Sequence, residues 1–164
     1  MKWLTAINST LSRWTLYLAC ACLAGLLCIV VYGVVMRYVF NDEPPYVEQV
    51  ALLLVISVSM FGAAPGVRDV GHIGLNSLVD RLPPRQQFWC HLAVQILGMV
   101  FGLILLVGSV VMGLSTYTNT IPTLGLSEAF RYLPVVLGGM LIAAFSFEHL
   151  WALFTDTEVI RSWH

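Results

Sequence analysis

Apolar residues run along this chain in four long blocks, separated by short polar interruptions that hold most of its charge. The first block, Trp14 to Met36, has no charged residue and is long enough for one bilayer-spanning helix of about 20 residues. Ahead of it, Trp3, Leu4, Ile7 and Leu11 fall on roughly one helical face, with Lys2 and Arg13 as the only charges. Met1 to Arg13 is therefore expected to be an interfacial lead-in lying against the membrane. A cleavable leader would have an apolar core of only about 7–15 residues, so a retained first span is expected. Arg37 to Pro45 reads as a polar turn, with Asn41, Asp42, Glu43 and two prolines that cannot continue a helix. The second block runs from Tyr46 to Val67, with Glu48 just inside its start and Arg68 closing it. Pro65 predicts a kink or an early end in its last turn.

Next comes VGHIGLNSLVDRLPPRQQ, where Leu75, Leu78, Val79 and Leu82 repeat at i, i+3, i+4 and i+7. His72, Asn76, Asp80 and Arg81 take the opposite face. The run is too short to span, so an amphipathic interfacial helix is expected over about 70–82, stopped by Pro83 and Pro84. The third block begins near Phe88 and fades after Gly113. Gly98 and Gly102 make a GxxxG spacing and Ser109 with Gly113 repeats it, pairs that let another helix approach closely. A partner subunit is the expected neighbour of this face. Leu114 to Glu128 is a polar loop without Lys or Arg, and the fourth block runs from about Phe130 to Phe154. The expected fold is an all-α integral membrane protein, a single four-helix domain over 1–164 with spans at about 14–36, 46–67, 88–113 and 130–154.

Composition agrees with this. Only 10% of the 164 residues are charged and 59% are hydrophobic, whereas soluble domains carry about 25% charged residues. Charge position then sets the expected topology. With both termini cytoplasmic, Lys2, Arg13, Arg68, Arg81, Arg85 and Arg161 lie inside, and only Arg37 and Arg131 lie outside. Trp3, Trp14, Trp89, Trp151 and Trp163 gather at the same inner level, while Tyr32, Tyr38, Tyr46, Tyr117 and Tyr132 gather at the outer one. The scattered cations form no basic face for nucleic acid. No internal repeat supports a transporter of inverted halves.

Ionisable groups near the midplane would mark a relay or a substrate site. This pattern places none there, which argues against a proton relay, a central substrate site or an autonomous small exporter. Arg37 and Glu48 flank the outer turn and are the leading candidate ion pair; Arg68, Asp69 and His72 form a second group of structural or interfacial candidates. Cys20, Cys22, Cys28 and Cys90 contain no CxxC and suggest neither a zinc site nor a redox pair. His91 and His149 lie toward the same side on adjacent spans, and two imidazoles at matched depth are what a b-type haem would need. A haem-binding anchor of a respiratory enzyme is thus the alternative reading. Nothing in the pattern resembles a nucleophile–base pair, a phosphate loop or a metal cluster.

RYVFN after the first span, PPYVEQ at the start of the second and GAAPGVRDVGHIGLNSLVDRLP after it together resemble the small membrane subunit of tripartite ATP-independent periplasmic (TRAP) transporters, the DctQ type. TLGLSEAFRYLPVVLGG resembles that family's fourth-helix start, so the resemblance covers nearly the whole chain. The family commonly has Trp-x-Glu-Glu opening the second helix. Here Tyr46 stands for the Trp and Gln49 for the second Glu, while Glu48 keeps the first carboxylate.

The resemblance implies a bacterial inner-membrane subunit working with a soluble periplasmic binding protein that captures an organic acid. It also implies a large DctM-type membrane subunit that holds the substrate and sodium sites. The small subunit would brace the large one's static scaffold among membrane lipids, with no cofactor of its own. Asn41, Asp42, Glu43 and Tyr46, with Tyr117 and Glu128, would help to dock the binding protein.

Overall fold

A computed structural model describes residues 2–42, 44–70, 83–121 and 125–155. Each apolar block is a helix: α1 Lys2–Val39, α2 Tyr46–Pro65, α3 Pro84–Ser115 and α4 Leu133–Thr155. All four are long and apolar enough to cross a membrane. The protein is an all-α membrane protein. Beyond Val70, the interfacial helix expected over 70–82 lies outside the described residues, as does Glu43.

The expected lead-in is not separate. α1 is continuous over 38 residues, about 57 Å at 1.5 Å per residue. Its first half contains no glycine or proline to break it, and Asn8 and Ser12 are bonded into the bundle (below). α1 ends where Phe40 and Asp42 both return their amides to the Met36 carbonyl, each at 3.2 Å. Asn41 takes the left-handed φ of 52°, which Asn tolerates better than other non-glycine residues. Pro44 and Pro45 then open α2. At its far end α2 passes through Pro65 into a π-helical turn, Gly66–Val70. α4 is preceded by a 3₁₀ turn, Glu128–Tyr132, capped by Ser127, whose hydroxyl accepts from the Ala129 amide and donates to the Tyr117 carbonyl.

The helices pack in the order α1–α2–α4–α3, so that α1 and α3 form opposite edges of a row. Ser12, Thr15 and Ala19 bury a narrow stripe of α1, while Trp14, Tyr17, Leu18 and Leu23 face outward. That is the inverse of a soluble bundle, because lipid is the solvent for the exposed apolar side. Ala64, Ile142 and Phe145 make the small central core between α2 and α4.

Close approach is sharpest where α3 crosses α4. A Cβ on Gly102 would lie 2.7 Å from the Ala143 amide nitrogen, and one on Gly139 would lie 2.9 Å from that of Leu106. A Cβ on Gly98 would meet the Ser146 hydroxyl at 2.8 Å. At Gly98 and Gly102 the face expected to meet a partner subunit is occupied by this chain's own α4. Spacing along one helix does not say which helix will fill the face.

Gly102→Leu should lower the thermal stability of the detergent-solubilised protein by about 1–3 kcal/mol, the usual range for overpacking. Gly108→Leu, on the same helix with nothing within 4 Å of the new Cβ, should leave the unfolding temperature unchanged. Equal behaviour of the two variants would remove the packing claim.

Candidate functional site: two polar clamps joining the helices

Arg68 is the most deeply placed charge in the described structure, with 0% of its side chain exposed. It stands in the π turn, where i→i+5 bonding widens the helix. Consecutive residues therefore diverge by less than the 100° of an α-helix, and Arg68 and Asp69 both face inward. The guanidinium bonds Asp69 at 3.1 Å from Nη1 and Glu148 of α4 at 3.2 Å from Nε. Two carboxylates share one guanidinium, and neutral donors from α1 serve the excess negative charge. Asn8 donates its amide to Glu148 and the Ser12 hydroxyl donates to Asp69, both at 2.8 Å.

His149 Nε2 lies 2.8 Å from the Arg68 carbonyl and donates to it. The bond gives the Arg68 carbonyl a donor from α4. The Phe145 ring lies 6.0 Å from the Arg68 guanidinium carbon, within cation–π range. Three helices are thereby fastened at one point. Every charge there meets a counter-charge or a hydrogen-bond donor, which is the condition for burying ions at all.

A second clamp closes the other end. Arg131 donates to Gln49 Oε1 at 2.6 Å and faces Glu128 at 3.6 Å. Close by, the phenols of Tyr32 and Tyr46 bond each other at 3.1 Å. From Gln49 to Arg68 along α2 is about 28 Å, and from Arg131 to Glu148 is about 26 Å, at 1.5 Å per residue. Both lengths approximate the hydrocarbon thickness of about 30 Å. The clamps therefore sit at the two membrane boundaries, and no Asp, Glu, Lys or Arg lies between them on α2 or α4.

Of the residues singled out in the sequence, Arg68 and Asp69 are brought together, with Glu148 as the partner that pattern reading did not supply. Arg37 and Glu48 are both exposed at the hairpin end, as are Asn41, Asp42, Tyr46 and Tyr117, and Glu128 is half-buried there. His72 lies outside the described residues. Ser109 is buried, with its hydroxyl returned to the Leu105 and Leu106 carbonyls, and Gly113 faces Tyr132. Asn8 and Ser12 went unnoticed because they lie in a segment read as a surface lead-in. A usable signal existed: Glu148 is a lone acid in an apolar helix, seven residues short of its end, at a depth matching Arg68. His149 is engaged by the Arg68 carbonyl, and this does not favour the haem-anchor reading.

A row of four membrane-length helices, with α2 and α4 fastened by polar clamps at both ends, defines a multi-pass membrane protein. The family model for tripartite ATP-independent periplasmic transporters, DctQ component, matches residues 26–156, and the chain belongs to that family. It is similar to a TRAP transporter small permease protein of Haemophilus influenzae, with 26% identity over 79% of this chain and 81% of the relative. It is also similar to the sialic acid TRAP transporter small permease protein SiaQ of Vibrio cholerae, with 24% identity over 80% of this chain and 76% of that one. The protein is accordingly a small permease subunit of a TRAP transporter, resident in the inner membrane.

Arg68→Met would strand Asp69 and Glu148 in a buried site, and it is expected to cost about 3–5 kcal/mol, the range for breaking a buried pair. Arg68→Met combined with Glu148→Gln should recover part of that loss. Thermal aggregation in mild detergent reads both effects. A double variant no better than the single one would show that the pair is not coupled.

Proposed function

We propose that this subunit braces a large membrane subunit in a sodium-driven transporter that imports an organic acid, and that its hairpin end helps to dock a periplasmic binding protein. The family match carries the reading. The row architecture supports a bracing role, since edge helices α1 and α3 leave wide apolar faces for another membrane protein or lipid. The absence of Asp, Glu, Lys or Arg between the clamps supports placing solute and sodium sites on another chain. The relative named for sialic acid, itself a carboxylate, supports an acid as the solute class.

In this reading the termini are cytoplasmic. The exposed groups Asn41, Asp42, Tyr46 and Tyr117, with Glu128 beside them, face the periplasm, and Glu43, outside the described residues, is proposed to act with them.

Two measurements test this. Labelling of Tyr117→Cys by an impermeant thiol reagent, in a background without the native cysteines, should occur from the periplasmic side of intact cells; protection there with labelling in inverted vesicles reverses the topology. Reversing Asp42, Glu43 and Glu128 to Lys should lower uptake several-fold at limiting binding protein and leave co-purification with the large subunit intact. Unchanged uptake at both limiting and saturating binding protein removes the docking role.

A further inference from the structure

The groups proposed to dock the binding protein come from two loops far apart in the chain, the α1–α2 hairpin and the α3–α4 connection. Each loop is closed on itself. In the hairpin the Phe40 and Asp42 amides return to the Met36 carbonyl, the Val47 amide donates to the Pro44 carbonyl at 3.1 Å, and the Tyr46 phenol bonds that of Tyr32. In the other loop the Glu128 amide donates to the Asn119 carbonyl and the Ile121 amide to the Leu126 carbonyl, both at 2.8 Å. The Ser127 hydroxyl holds the Tyr117 carbonyl at the same distance. These bonds shape each loop, but none of them sets one loop against the other.

We infer that Arg131 is a positioning residue that holds the two loops in one docking surface. The inference rests on the docking role proposed above. The Arg131 guanidinium donates to Gln49 Oε1 at 2.6 Å and faces the Glu128 carboxylate at 3.6 Å. Gln49 follows Tyr46 by three positions on α2, so the two are neighbours on one helix face. Glu128 begins the 3₁₀ turn that Ser127 caps and ties to Tyr117. One guanidinium therefore reaches a residue beside the hairpin's Tyr46 and a residue of the second loop.

The choice of arginine fits that task. Its planar fork fixes the direction of each bond, and a bond from a charged donor is stronger than a neutral one. With 27% of its side chain exposed, Arg131 lies largely beneath the surface, whereas Tyr117 is 69% exposed. A docked protein would meet the loops, and Arg131 would act through them. A surface made of two loops binds best when their relative placement exists before contact, because ordering them during binding is subtracted from the affinity.

The test uses the complete transporter in lipid nanodiscs, with its own periplasmic binding protein, fluorescently labelled, as the probe. Arg131→Ala should raise the dissociation constant about three- to tenfold, the effect of ordering one or two side chains on binding. Gln49→Ala should do the same, and the double variant should be no weaker than either single one, since both remove one bond. Co-purification with the large subunit should not change, because the Arg68–Glu148 bond and the packing of Gly138 on Met60 still join α2 to α4. Spin labels at Asp42→Cys and Tyr117→Cys, without the native cysteines, should give a narrow distance distribution that broadens in both alanine variants. This second readout needs no binding protein.

An unchanged distance distribution overturns the positioning role. So do additive losses in the double variant, which would mean that Arg131 touches the binding protein itself, and a loss of affinity that comes with loss of the large subunit. The docking reading fails separately: reversal of Asp42, Glu43 and Glu128 to Lys would then leave the affinity unchanged. If that reversal weakens binding and Arg131→Ala does not, the positioning role alone is removed.

Discussion

A guanidinium with no exposed surface persists beside a bilayer only when its charge is met by partners from other helices, and the clamp at Arg68 draws on two of the other three. Asp69 comes from its own turn, but a neighbouring carboxylate alone does not hold a helix in place. Glu148 binds α2 to α4, and the second negative charge brings in Asn8 and Ser12 from α1. The π turn after Pro65 is what aims both Arg68 and Asp69 inward. Pro65 removes a backbone donor from the last turn of α2, and the widened turn follows directly after it. The resulting clamp is fully paired, which offsets the desolvation that would otherwise exclude it.

Once that end is fastened, the remaining geometry follows from size and depth. The Arg131–Gln49 clamp lies about one hydrocarbon thickness away on the same two helices, so α2 and α4 are held together at both boundaries. Between the clamps the contacts are small and apolar. Gly138 lies against Met60, and Gly102 and Gly139 bring α3 onto α4. In lipid, hydrophobicity supplies little drive between helices, and close packing with a few polar bonds must hold them together. The structure uses both, one in the interior and the other at the boundaries. α1 and α3 remain at the edges with broad apolar faces, an architecture suited to a subunit that spans the membrane beside a larger one.

Four spans, their approximate extents and the all-α class were legible from the sequence, because a bilayer imposes a minimum apolar length and leaves helices as the simplest way to satisfy the backbone. The family resemblance was legible for a different reason: RYVFN, PPYVEQ and GAAPGVRDVGHIGLNSLVDRLP stand in order along a chain that is only 26% identical to one relative. The GxxxG spacing at Gly98 and Gly102 raised the expectation that something packs closely there. Only the tertiary structure decided that α4 of the same chain does so, since spacing describes one surface and not its complement. Likewise Arg68 and Glu148 are 80 positions apart, and no local pattern links residues at that distance. Asn8 and Ser12 looked like lead-in polarity because hydropathy measures solvent preference and says nothing about which hydroxyl or amide meets a buried charge. Element type is settled by local period and length, whereas pairing between helices depends on three-dimensional register, and that exists only once the chain is folded.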